Sequence, residues 1–407
     1  MAGSTIDHLV SVTVFIGALL LFISLFNQTL QTAVLYQQHR NLAAKCSDLL
    51  DNMLLTPGIP SDWGKRDSAP IGFGLQDPEF TQYRISPFSL MRLWSSVGEP
   101  VYYPKTGKTY SNATVGFGDY LLMPSASAIN YSTVTRLLGI NGSYGFQLTM
   151  TPIVTVSISE VQSKNPLKIE VIATGKGFPL ANAAVSYCFL TVSLTGGQQS
   201  YPAYTTTYGT IYTDETGSAL LEFSEINDDE ISYAFIAYAH ISGLVGVGYH
   251  QRVTSDTQYV IPFIDDLETG RVLLAHSYDV HYLGPPVAEI SYNATFVLLT
   301  EDFTLREISL GADKTGKVNY GEGNPYKVVT IPTYNPGILV ITYRKSATEG
   351  GVVMMPWGLS SMAFSVVFGG DPSNKEWVAT DLRQVIVNSI AYQATLALWS
   401  LSYQVTG

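Results

Sequence analysis

The sequence predicts an α+β protein: one long N-terminal hydrophobic helix, then mostly antiparallel β-sandwich domains. Three observations predict it. An uncharged apolar run lies near the N-terminus, from Leu9 to Phe26. Charged residues make up only 14% of the chain, while tyrosine is abundant at 26 residues, a balance that suits β-rich surface domains. The later sequence breaks into short alternating runs separated by turn residues every ~8–12 positions, as sandwiches do.

The run LVSVTVFIGALLLFISLF contains no charge, Asn, Gln or proline. At about 1.5 Å per helical residue it matches a hydrocarbon core of roughly 30 Å. Beyond it, Leu30, Val34, Leu42, Cys46, Leu49, Leu50 and Met53 recur at helical spacing, with polar residues mostly on other faces. Thr56-Pro57-Gly58 should end the helix, since proline lacks a donor and glycine closes the terminus. One continuous helix from about Ile6 to Leu55 is therefore expected, within a unit spanning 1–58. A cleaved secretory signal would have a shorter core, a basic start and a small-residue cut site. Here Phe26-Asn27-Gln28 runs straight on as helix. No Lys or Arg precedes the run, so charge does not mark its orientation.

The net charge of −11 argues against a nucleic-acid partner, which needs a basic stripe. The two cysteines, Cys46 on the helix and Cys188 in a strand, are expected to be independent small apolar residues. Beyond Asn27, the sequons at Asn112, Asn130, Asn141 and Asn293 fall in apparent loops or strand edges and are candidate N-glycosylation sites.

After the helix, residues 59–155 read as loops with short strands. ISPFSLMRLWSS (85–96) and INYSTVTRLLGI (129–140) form short amphipathic elements, and residues 143–159 form a strand leading onward. The helix, its ending in LLTPGIPSDWG, then FGLQ, Arg92-Leu93, Tyr131, Leu137-Leu138-Gly139-Ile140 and Tyr144-Gly145-Phe146-Gln147-Leu148 together resemble archaeal type IV pilin-like surface proteins over about residues 1–155. The resemblance implies a precursor anchored in the membrane by its helix, then cleaved and packed with copies of itself as a filament core. It implies processing at Gly3-Ser4, and an acidic Asp7 placed to neutralise a neighbour's new amino terminus. The leader departs from the family: Met1-Ala2-Gly3 carries no Lys or Arg. Either the true start lies upstream, or the protein keeps its anchor and never polymerises.

Residues 156–256 are expected to be a β-sandwich. LKIEVIATGKGFPLANAAVSYCFLTVSL gives two β-runs about a turn, TDETGSALLEF reads as a hairpin, and ISYAFIAYAHISGLVGVGYH supplies two more strands. The pattern Gly177, Pro179, Leu180, Ala183, Val185, followed by a D-x-T-G turn, resembles immunoglobulin-like domains of prokaryotic surface proteins. That turn, Asp214 to Gly217, recurs as Asp313 to Gly316 at a spacing of 99 residues. Residues 257–407 are accordingly expected to form a second sandwich-like domain. Its tail, 383–404, reads as a strand pair in preference to an amphipathic helix.

Little in the sequence carries chemistry. Gly311 to Lys317 fits the first seven positions of a phosphate-binding loop, but Val318 replaces the hydroxyl residue and no strand–loop–helix context surrounds it. His276-Ser-Tyr-Asp279-Val-His281 would place its ligands on opposite faces of a strand. The acidic stretches 227–230 and 265–268 lack the spacing of a calcium loop and read as solvated turns. No metal, no cofactor and no enzymatic activity are expected. Tyr201, Tyr204, Tyr208 and Tyr212 suit subunit interfaces or contact with surface glycans, or ordinary strand composition.

Two readings remain. In the first, the chain is a homo-oligomer, a helical filament subunit. Its helices pack through Phe15, Gly17, Ala18, Leu21, Phe22 and Leu25, with small residues allowing close approach, and its β-domains face outward for adhesion to glycans or other cells. In the second, it is a single-span membrane anchor presenting those domains at the cell surface.

Overall fold

A computed structural model describes residues 2–80, 83–94, 99–115, 119–124, 127–193, 201–255, 257–281, 289–316 and 325–401. The expected rod is present as a single helix, α1 (Ala2–Leu55). Its end is set by the chain that follows. The Leu75 and Gln76 N–H groups donate to the Met53 and Thr56 carbonyls, at 2.8 and 3.0 Å, supplying partners that a helix C-terminus otherwise lacks. Gly74 permits this approach, because a Cβ there would lie 2.1 Å from the Thr56 oxygen.

The two short amphipathic segments are helices, α2 (Pro87–Trp94) and α3 (Tyr131–Leu137), the second capped by the Asn130 side chain accepting from Thr133 N–H at 2.8 Å. Before, between and after them run β1 (Arg84–Ile85), β2 (Val101–Tyr103), β3 (Lys108–Val115), β4 (Asp119–Pro124) and β5 (Tyr144–Pro152). Next come β6 (Val154–Gln162), β7 (Leu167–Gly175), β8 (Phe178–Pro179), β9 (Ala184–Ser193), β10 (Ala203–Tyr212), β11 (Ser218–Phe223), β12 (Tyr233–Ile241) and β13 (Leu244–Arg252). The rest of the chain supplies β14 (Val260–Asp266), β15 (Arg271–His276), β16 (Ile290–Leu299), β17 (Leu305–Thr315), β18 (Tyr326–Thr330), β19 (Gly337–Arg344), β20 (Gly350–Trp357), β21 (Val366–Gly369), β22 (Ala379–Val387) and β23 (Ile390–Ser400).

Strands β6 to β13 form the sandwich. One sheet runs β10-β9-β12-β13 and the other β11-β7-β6, with β8 on β7. Between them Phe189 stacks on Phe223 at 4.0 Å, beside Phe235, Ile169 and Val171. The segment read as a hairpin is instead a crossover, because β10 pairs with β9 while β11 pairs with β7 in the opposite sheet. Asp214 shapes it by accepting from the N–H groups of Thr216 and Ser218, and Gly217, at φ +77°, passes too close to the Ala173 oxygen to carry a Cβ. The apparent second copy of this turn lies in strand: Asp313, Lys314 and Thr315 end β17, and only Gly316 has left it.

The sheets join what the sequence separates at 155 and 257. A five-stranded sheet runs β1-β22-β23-β5-β21, and a six-stranded one runs β18-β15-β14-β4-β3-β2. Residues 59–155 and 257–407 thus contribute to the same sheets, and the sandwich is inserted between β5 and β14. Only β17-β16-β19-β20 is built wholly from the later residues. The largest hydrophobic core among the described residues runs from Leu49, Leu50 and Met53 of α1 through Leu90, Met91 and Phe146 to Tyr343, Val385 and Leu396. The tail is a strand pair, as expected.

Candidate functional site: the projecting helix

Helix α1 divides into two unequal environments. Every side chain from Ile6 to Gln37 is exposed, a length of about 48 Å at about 1.5 Å per residue. Phe15, Leu21, Phe22 and Leu25 are each more than 60% exposed, Phe22 stacks on its helical neighbour Phe26 at 6.5 Å, and a Cβ at Gly17 would meet no side chain within 4 Å. Ala18 lies on the same uncovered length. Threonine hydroxyls here are turned back onto the helix. Thr13 and Thr29 donate their hydroxyls to Leu9 and Leu25 carbonyls, both at 2.8 Å, which suits a helix in hydrocarbon, where water supplies no partners. By length and composition this helix can cross a membrane. Gly3, Ser4 and Asp7 lie on its continuous first turns.

From Gln38 onward the helix meets the body. Cys46, Leu50, Met53 and Leu54 are buried against β22 and β23. His39 packs against Trp377 with the rings tilted by 38° and 3.8 Å between their centres. Arg383 of β22 grips the helix as a fork, with Nε and Nη2 at 2.9 and 3.1 Å from the two Asp51 oxygens, Nη2 at 3.0 Å from Ser47 Oγ and Nη1 at 2.9 Å from Asp381. Burial alone would raise the Asp381 carboxyl, but hydrogen bonds from Ser47, the Leu382 N–H and Arg383 hold it below the ordinary carboxylate range. Burial pushes the Cys46 thiol up to about 11 and the Cys188 thiol to about 12, so both stay protonated and unreactive. Both cysteines are free.

The collar beneath the helix rests on a residue quoted only as part of a motif. Arg92 is fully buried, its guanidinium donating to the carbonyls of Trp63, Ser68 and Ser127 and lying over the Trp63 ring. Burial draws its pKa down to about 10. Trp63 in turn donates Nε1–H to Gly74 O at 2.8 Å. The WG of the PSDWG stretch is the sequence signal for this clamp.

Other expected features fall elsewhere. Asn130 caps α3 and is exposed, as is Asn141 in the following turn. Asn112 lies in β3. Asn293 is in neither a loop nor a strand edge: β16 is flanked by β17 and β19, and Asn293 pairs with Ala312 and Thr342. Tyr204 and Tyr208 hold the sandwich to the body, Tyr204 sharing a short hydroxyl contact with Thr295 and Tyr208 one with Glu307, whereas Tyr212 stays exposed. Asp265 is not a solvated turn residue. It is 5% exposed and accepts from Lys108 Nζ at 2.7 Å and Tyr110 OH at 2.9 Å. His276 ends β15 while Ser277 to His281 form a helical turn, so strand alternation does not apply, and no metal-binding group of His, Cys, Asp or Glu occurs among the described residues. Gly311 to Thr315 of the loop-like heptad lie in β17, with Lys314 Nζ 3.5 Å from Glu289.

No family model and no curated protein matches the sequence. Among solved structures, the native E. coli alpha-2-macroglobulin aligns at 11% identity and TM-score 0.22, covering 68% of this chain and 19% of that one. A Salmonella alpha-2-macroglobulin variant aligns at 11% and 0.21, over 57% and 17%. Red sea bream transglutaminase aligns at 9% and 0.18, over 61% and 37%. The chain thus spans about a fifth of the macroglobulins' length, and scores this low do not establish a shared fold.

Proposed function

We propose that this protein is a structural subunit of a pilin-like extracellular filament, assembled through the projecting part of α1 with its β-body on the outside. The observation that carries the reading is the uncovered length from Ile6 to Gln37, apolar on all sides over Leu9 to Phe26 and continuous with a segment packed on the body. Apolar surface of that extent needs lipid or other helices around it. Its residues Gly17 and Ala18 let copies approach closely, and Phe15, Leu21, Phe22 and Leu25 fill the gaps between them. The resemblance over residues 1–155 supplies the order of events: membrane anchoring, cleavage between Gly3 and Ser4, then packing, with Asp7 offered to a neighbour's amino terminus.

Mass spectrometry of material sheared from cells, paired with negative-stain microscopy, tests this. Fibres whose subunits begin at Ser4 are the expected result. An intact start, recovered only from detergent-extracted membranes, overturns assembly and leaves a single-span anchor displaying the β-body.

A further inference from the structure

We propose that a pocket at one end of the five-stranded sheet, between α3, the start of β5 and the segment after β21, binds a pyranose ring. This inference does not depend on how the projecting helix is used. The cavity measures about 310 Å³, near the lower end of ligand pockets at roughly 300 Å³ and matched to one sugar ring with its substituents.

Its lining is of an unusual kind for a structural crevice. Half-buried Tyr131 and Tyr144 line it, the Tyr131 ring tilted against Phe146 and Phe368. Tyr131 OH accepts from the Phe146 N–H at 3.0 Å, which leaves its own hydrogen to donate. Trp399 lies at the base, 3% exposed, and its indole N–H has no acceptor among the described residues. Buried tryptophan N–H groups ordinarily find one. Gly145 and Gly370 close over that ring, where a Cβ would come within 2.4 Å of the nitrogen and 3.1 Å of the opposite edge, so their missing side chains let the backbone seat the indole beneath the pocket.

The polar groups decide the class of ligand. Asn141 offers an amide, and Asp371 a carboxylate held in place by the Ser373 N–H and hydroxyl at 2.9 and 2.6 Å. Lys375 opposes that carboxylate in charge. One anion and one cation cancel, which disfavours a phosphate or a metal ion. Amide, carboxylate, ammonium and phenol together offer donors and acceptors at several positions. Such a lining disfavours a purely apolar ligand. A neutral molecule with hydroxyls on its rim and C–H groups on its faces satisfies both.

Such a ring has two sources: a free or foreign saccharide, or the chain's own glycan on Asn141, whose sequon ends at Ser143. The test uses the full chain in a detergent without a sugar headgroup, with methyl glycosides of glucose, galactose, mannose and N-acetylglucosamine as probes, read by saturation-transfer NMR. Transfer to at least one glycoside is expected, weakened about tenfold by Asp371→Asn, which removes a charged hydrogen-bond acceptor, and abolished by Tyr144→Leu at an unchanged melting temperature. If both the natural protein and Ser143→Ala respond, the occupant is a free saccharide. If only Ser143→Ala responds, the occupant is the chain's own glycan. Absence of transfer in both, or transfer that Asp371→Asn and Tyr144→Leu leave unchanged, overturns the proposal.

Discussion

The two parts of α1 share one unbroken backbone and face opposite worlds. From Gln38 to Leu55 the apolar residues occupy a stripe, and that stripe is covered by β22 and β23 while Asn41, Lys45 and Asp48 look to solvent. From Leu9 to Phe26 they occupy every direction, and no sheet could cover them all. What differs is the angular width of the hydrophobic surface, since both parts are good helix. A stripe can be satisfied by its own protein. A full cylinder must be surrounded, and must find its partners beyond the chain.

The largest expected effect comes from separating the two. A chain beginning at residue 38 should be monodisperse without detergent and should melt where the full-length protein does. Light scattering and calorimetry decide it, and a truncated body that still aggregates would show that the exposed length also serves the fold. Next come single substitutions. Leu50→Ala, on the buried stripe, should cost about 2–5 kcal/mol, whereas Leu21→Ala should leave the body's stability within about 0.5 kcal/mol in a denaturant titration. A smaller effect is expected at the clamp. Asp51→Ala breaks a fork whose carboxylate side is 37% exposed, so solvent screening limits the loss to about 0.5–1 kcal/mol. The mildest probe is acid. Asp381 titrates below its ordinary value when folded, so its contribution is fully present above about pH 4 and disappears as the pH falls through the depressed folded value. Urea titrations between about pH 6 and about pH 2 should show the body losing stability across that window, and losing less of it in Asp381→Asn. An identical pH dependence in the two proteins would mean that apolar packing alone holds the helix seat.

Much of this was legible in the sequence because it is local. The helix, its stop at Thr56-Pro57-Gly58, α2, α3 and the terminal strand pair each follow from periodicity and turn residues. Sheet membership was not, since alternation shows that a segment is a strand without showing its neighbour. The Asp214 turn was rightly read as a turn and wrongly as a hairpin, because an identical Asx turn serves to cross between sheets. Asp265 looked solvated in its acidic stretch, yet its partners Lys108 and Tyr110 lie more than 150 positions away and no local pattern could announce them. The pocket at Trp399 was hidden for the same reason, being assembled from Tyr131, Tyr144 and Asp371 on three separate segments.

The seat of α1 is made by strands that leave the ribosome late: Cys46 rests against the carbonyl of Leu396, 350 positions downstream. At the usual 5–20 residues per second, the lower half of the helix waits roughly 20–70 s before its landing place exists. During that interval its apolar stripe stays uncovered, while the inserted sandwich, whose strands are contiguous, can already be complete. The order of synthesis thus leaves the whole rod bare at first, and only afterwards does the finished globule fasten itself to the rod's lower end.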